Sequence, residues 1–283
     1  MSHPPTSHSL TEDAVRRSPL RTTLIALGAA AIVATFAYLV ATSPAEPVDV
    51  PSAAAALVAL SGYGLAAVLL FAGILPTLPT VTLALIPVAL VLNIVLGQFV
   101  GSTLLPIYLD SIGTVLVGFL AGSAAGAATG LLSTIVWSFF NPTLIPFAAG
   151  AAVIGALAGL AARLGAVRRM WWLPIAGLVT GAVAAVIGST VAVAVFGGTS
   201  TGATGAVIAV FRATGDSLVD SVVKGAILSD LADKLVTFVS AAAIAYALPR
   251  RATQRFEFAR THRVLASRRA DAERGTAEAA PPA

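Results

Sequence analysis

Apolar residues run along this chain in long blocks separated by short polar stretches. Blocks of the ~17–25 residues that a helix needs to cross a bilayer lie at roughly 23–42, 52–75, 79–100, 145–164, 171–197 and 222–248. A Gly-rich apolar stretch from 110 to 140 is too long for one crossing and is punctuated by Gly118, Gly122, Gly126 and Gly130. A break near Ala121-Gly122-Ser123 divides it into two short helices, 110–121 and 124–140. The pattern predicts an all-α protein, a polytopic membrane bundle of about eight spans. The first block, Leu24 to Thr42, is longer than the ~7–15 residue apolar core of a signal peptide, so it reads as a retained anchor.

Composition strengthens this reading. Hydrophobic residues make up 57% of the 283 and charged residues 11%, against about 25% charged in a soluble domain. The basic residues set the orientation, because Lys and Arg gather in cytoplasmic loops. With the N-terminus inside, the inner segments hold Arg16, Arg17, Arg21, Arg163, Arg168, Arg169 and the arginines from Arg250 to Arg274. That is fourteen of the seventeen basic residues; the outer segments hold only Arg212, and Lys224 and Lys234 fall in the last block. The expectation is a cell-membrane protein with both termini cytoplasmic. Seven spans would strand one basic cluster outside, which supports the break at Gly122. The net charge of +4 needs no nucleic acid partner, since a basic tail beside a membrane meets the lipid bilayer and its anionic headgroups. There is no cysteine, and His3, His8 and His262 lie in polar tails, so no metal or other cofactor is expected. The chain has no phosphate loop and no intramembrane His–Glu pair, and is not expected to be an enzyme or to hydrolyse ATP itself.

Candidate chemistry comes from polar residues inside apolar blocks. Asp230, Asp233 and Lys234 sit in the last block, where a charge costs at least ~2.5–3.5 kcal/mol to insert. Spacings of three and four put them on one helical face, at modest depth from the outer side. An ion pair locking this helix to its neighbours is the simpler reading of the same turn. Asn93 and Gln98 end the third block, Tyr108 and Asp110 follow in a loop, and Trp137 and Asn141 close another corner. Asp216, Asp220 and Lys224 lead into the last block at intervals of four. All fall toward the predicted outer face, where amides, carboxylates and aromatics would suit a small heterocyclic or amine-bearing ligand. Taken singly, Trp137 and Tyr108 read equally as interface aromatics, Asn141-Pro142 as a turn, and Asn93 and Gln98 as interhelical hydrogen bonds. Small residues at four-residue spacing, Ala26/Ala30/Ala34, Gly155/Gly159 and Gly177/Gly181/Ala185, permit close helix contact.

The order from Val81 to Arg251 resembles the substrate-binding S components of energy-coupling factor (ECF) importers. The likeness is carried by Leu109-Asp110-Ser111-Ile112-Gly113-Thr114, the Gly/Ala corner at Gly122 to Gly126, and a closing helix with Ser229-Asp230, Asp233-Lys234 and Leu248-Pro249-Arg250-Arg251. It covers about 170 of 283 residues. The resemblance implies a six-span substrate-binding core (79–249); two extra N-terminal helices (23–78) depart from it, and a polar tail (1–22) and a basic tail expected to be disordered (250–283) flank the whole. It implies an outward pocket lined by Asn93, Gln98, Tyr108, Asp110, Trp137, Asn141, Asp230, Asp233 and Lys234. The implied partners are a small-molecule substrate, a transmembrane coupling subunit and two ATPase subunits. The first core span lacks a clean Ala-xxx-Ala docking stripe, having Ala84 and Ala89 around Pro87; Ala26, Ala30 and Ala34 are the substitute. The competing functions are a ligand-sensing or structural membrane module, and a proton-coupled carrier with Asp230 or Asp233 as the relay.

Overall fold

The computed structural model describes residues 18–42, 50–103, 105–199 and 202–265, and every regular element among them is helical. The helices are α1 (Pro19–Ala41), α2 (Ala53–Ile74), α3 (Thr80–Gly101), α4 (Ile112–Ala121), α5 (Ser123–Ser138), α6 (Ala148–Arg163), α7 (Trp172–Phe196), α8 (Gly202–Ala213), α9 (Leu218–Ala247), α10 (Arg250–Thr253) and α11 (Glu257–Thr261). Short 3₁₀ turns at Leu75–Thr77 and Pro142–Phe147 extend α2 and lead into α6. Five helical stretches are long and apolar enough to cross a membrane: Pro19–Ala41, Ala53–Thr77, Thr80–Gly101, Pro142–Arg163 and Trp172–Phe196. The protein is therefore a helical membrane bundle. The remaining predicted spans differ in kind. α4 has 10 residues and α5 has 16, so at ~1.5 Å per residue α4 reaches only about half the ~30 Å hydrocarbon core. α9 has 30 residues and carries the charged turn at its centre.

Glycine explains the short helices. Gly122 has φ +91°, which favours a residue without a side chain, and ends α4 one residue before α5 begins. The two then pack as an antiparallel hairpin: a Cβ on Gly126 would lie 2.9 Å from Gly118 Cα, and one on Gly130 would lie 3.0 Å from Thr114 Cγ2. α6 packs across this hairpin through Gly155 and Gly159. Gly177 and Gly181 of α7 take the backbone of α9 at Lys234 and Asp230. Both glycine stripes thus serve internal packing. Ala26, Ala30 and Ala34 are exposed instead, since α1 buries Gly28, Ile32, Thr35 and Leu39.

The extra N-terminal pair is not a separate unit. Residues of α1 and α2, among them Ile32, Leu39, Tyr63 and Leu70, share one buried cluster with α5, α6 and α7. Helix reversals leave one end of the bundle strongly basic. A cavity of about 360 Å³ there is lined by Arg21, Thr77, the α4–α5 turn, Glu257, Phe258 and His262. Tyr246 Oη donates to Val167 O at 2.9 Å beside it, bringing the Arg163–Arg169 turn to the same end. Residues 250–265 depart from the expected disordered tail. Phe256, Ala259 and Val264 are buried in the cluster that holds Leu120, Ala162 and Val167, and Phe258 lies over Gly122. Their apolar area outweighs the solvation of the arginines between them. Residues 1–17 and 266–283 of the two expected tails lie outside the described residues.

Candidate functional site

Between α3 and α4 the chain is not helical, and this segment meets the charged turn of α9. Asn93, wholly buried in α3, starts the arrangement. Its Oδ1 accepts the N–H of Gly113 at 2.7 Å and of Thr114 at 3.4 Å. Its Nδ2 donates to Thr114 Oγ1 at 2.8 Å and Ser133 Oγ at 3.2 Å. Asn93 therefore pins the start of α4 against the middle of α3 and ties in α5. Residues 105–111 accordingly lie between the end of α3 and the level of Asn93. Irregular backbone at membrane depth persists only where protein or a watery cavity satisfies it.

α9 supplies that satisfaction. Ser229 Oγ donates to Pro106 O at 2.6 Å. Asp233 Oδ1 accepts the N–H of Tyr108 at 2.9 Å and of Leu109 at 2.7 Å. Leu109 has φ 53°; the left-handed turn lets two successive N–H groups converge on one oxygen, a small anion nest. Asp233 Oδ2 binds Lys234 Nζ. Lys234 Nζ also donates to Ser111 Oγ at 2.9 Å and lies 3.4 Å from Asp110 Oδ1. Asp233 is fully buried and Lys234 nearly so, whereas the Asp110 side chain is 35% exposed.

Asp230, Asp233 and Lys234 do not act as one face-sharing set. The ion partners of Lys234 are Asp233 and Asp110, not Asp230. Asp230 accepts no hydrogen bond and joins no ion pair among the described residues. A Cβ on Gly188 would stand 3.6 Å from its Oδ2, so its carboxylate faces α7. It remains in the electrostatic field of Lys234, Asp233 and Asp110. The turn is also deeper than expected: Asp233 and Lys234 are the sixteenth and seventeenth of the thirty residues of α9.

The other candidates divide. Tyr108 is 36% exposed, and its hydroxyl shares a 2.7 Å hydrogen bond with Thr204 Oγ1 of α8. Its phenol is in the electrostatic reach of Asp110, Asp230 and Asp233. Trp137, half-buried at the end of α5, comes beside Asp110: a Cβ on Gly97 would meet the far edge of the indole and stand 2.9 Å from Asp110 Cβ. Gln98, next to Gly97 in sequence, is exposed. Asn141 caps the turn into α6, its Oδ1 accepting from Thr143 N at 3.3 Å and Thr143 Oγ1 at 2.6 Å. Asp216 pairs with Lys224 at 2.7 Å, and Asp220 accepts from Ser217 Oγ at 2.6 Å, both as exposed contacts. The candidate residues that the fold gathers around segment 105–111 are Tyr108, Asp110, Trp137, Asp230, Asp233 and Lys234, with Asn93, Ser111 and Ser229 bonded around them. Ser229, Ser111 and Gly97 are absent from the sequence prediction; the i, i+4 spacing of Ser229 and Asp233 was the available signal.

No protein-family model matches the chain, no curated protein matches it, and no solved structure matches it.

Proposed function

We propose that this protein is the membrane-embedded substrate-capture subunit of an ATP-driven importer of the ECF type, serving a small vitamin-like or heterocyclic micronutrient. One observation carries the reading. An unwound segment, 105–111, is drawn into a helical bundle and fixed by buried charge on α9, leaving Tyr108 and Asp110 partly exposed, with Asp110 beside Trp137. Broken helices whose ends and irregular backbone surround charged groups are the usual construction of intramembrane binding sites. In this reading Asp233 and Lys234 hold the shape of the site, and Tyr108, Asp110, Trp137 and Asp230 meet the ligand. The exposed stripe of Ala26, Ala30 and Ala34 is the docking face for the coupling subunit.

The decisive experiment is reconstitution. Purified chain in liposomes should bind ligand but concentrate none, and ATP-dependent uptake should appear only with added coupling and ATPase subunits. Ala30→Trp should abolish co-purification with the coupling subunit while leaving melting temperature unchanged. Concentrative uptake by the chain alone would overturn the reading. That outcome under a pH gradient would favour a proton-coupled carrier, which the unpartnered Asp230 also suits. A purely structural module is the reading favoured by the full satisfaction of Asn93 and Asp233. It predicts no ligand in the mass spectrum of the purified protein.

The same reading includes a path of eight crossings, with α4 and α5 as a short pair and α9 as the last, and both termini cytoplasmic. The native chain has no cysteine, so Gln254→Cys and Thr214→Cys are clean reporters at opposite ends. An impermeant maleimide added to whole cells should label Thr214→Cys and spare Gln254→Cys. The reverse pattern would invert the topology.

A further inference from the structure

We propose that the site formed by Tyr108, Asp110, Trp137 and Asp230 selects a small organic cation, with the two carboxylates as counter-charges and the Trp137 ring as the face on which the cation rests. The inference rests on the substrate-capture reading and names the class of substrate.

It begins from the charge at the site. Three carboxylates, Asp110, Asp230 and Asp233, share the electrostatic surroundings of one ammonium, Lys234. Asp233 is already complete: two backbone N–H groups and the ammonium satisfy it. Lys234 spends its remaining donors on Ser111 and, at the longer 3.4 Å, on Asp110. Asp110 is thus only partly neutralised, and about a third of its side chain is open. Asp230 is not neutralised by any contact among the described residues, although its surroundings are mostly protein. A largely buried carboxylate without a partner is costly in a low-dielectric site, and a bound cation removes that cost.

Geometry independently selects the same ligand. Gly97 lacks the side chain that would separate Asp110 from the edge of the Trp137 ring. An aromatic ring whose edge lies beside a carboxylate can take a ring-nitrogen cation or quaternary ammonium group over its face while the carboxylate supplies the counter-charge. Tyr108, lying among the three carboxylates and tied to α8 by Thr204, adds a second ring and a hydroxyl. An anionic ligand has only Lys234 to meet, and that ammonium is already enclosed by Asp233, Ser111 and Asp110.

The protein has three tryptophans, so Trp171→Phe with Trp172→Phe leaves Trp137 as the sole indole reporter. The probe is 1-methylnicotinamide, a pyridinium ring cation that quenches indole fluorescence, against uncharged nicotinamide. The cation should quench saturably and nicotinamide only linearly, with tetramethylammonium reversing the saturable part. Asp110→Asn and Asp230→Asn should each raise the half-saturating concentration by about tenfold or more. Asp216→Asn, in the exposed pair with Lys224, should leave it unchanged. If Asp230→Asn does not fold, Asp110→Asn decides. Equal quenching by the charged and neutral probes, or no loss in Asp110→Asn, overturns the proposal. ATP-dependent uptake of an uncharged compound would sink this inference and leave the importer intact. Saturable cation binding with no uptake after reconstitution would do the reverse.

Discussion

Lys234→Met is expected to remove most of the folded protein, and Asp233→Asn is expected to restore it. Lys234 is nearly inaccessible and forms the junction of Asp233, Ser111 and Asp110. Removing it leaves the wholly buried Asp233 with two backbone N–H groups and no counter-charge. Breaking a buried pair from one side costs about 3–5 kcal/mol, a large part of the stability of any domain. Asparagine at 233 keeps an oxygen for the Tyr108 and Leu109 N–H groups and discards the charge. The double change should therefore recover most of the loss, a coupling at or above ~3 kcal/mol, the upper end for residues in contact. Asp230→Asn should not rescue Lys234→Met, because Asp230 makes no contact with the ammonium. Folded yield and melting temperature in detergent, measured over the four combinations, decide it. Rescue through position 230 in place of 233 would show that the ion pairing is wrong.

The choice of partner also shows where the sequence is legible. The break at Gly122 was readable because glycines at four-residue intervals in an overlong apolar stretch leave few alternatives. The long helices were readable from block length alone. The ion pairing was not. Helical spacing placed Asp230 under Lys234 and said nothing of a chain segment entering from the side. Asp233 stands out in sequence as an intramembrane charge, but its role is not legible there, because beside Lys234 its partners are backbone N–H groups of Tyr108 and Leu109, 125 and 124 residues away. Asn93 reads in sequence both as a pocket amide and as an interhelical hydrogen bond, because an intramembrane amide signals only that a partner exists. Its partners turn out to be Gly113, Thr114 and Ser133, which make it a brace for α4. The 250–265 segment was misread for a related reason. A run of arginines hides the period of Phe256, Ala259 and Val264, whose burial depends on a surface that only the folded hairpin provides.

That hairpin is where a single methyl group should do the most damage. Gly155→Ala is expected to destabilise the bundle by about 1–3 kcal/mol or more. A Cβ at 155 would fall on the carbonyl group of Gly126 and within 2.8 Å of Ala127 N. The obstacle is backbone on both sides, so no rotamer change relieves it, and α6 must move away from α5. Gly126→Ala meets the carbonyl of Gly155 from the other side. The two changes disrupt one contact, so the double variant should lose less than the sum of the singles. Gly64→Ala is the matched control: it lies in α2 with nothing within 4 Å of the added carbon, and alanine favours helix over glycine by up to ~1 kcal/mol. Its melting temperature should hold or rise. The damage at Gly155 should also reach the site, because α4 carries the end of segment 105–111 and Gly155 lies against both Gly118 of α4 and Gly126 of α5. A methyl group there pushes the two helices apart and displaces Asp110 relative to Trp137. In the single-tryptophan protein, Gly155→Ala should weaken saturable quenching by 1-methylnicotinamide at temperatures where it is still folded. Full stability in Gly155→Ala would mean that α5 and α6 are not in backbone contact.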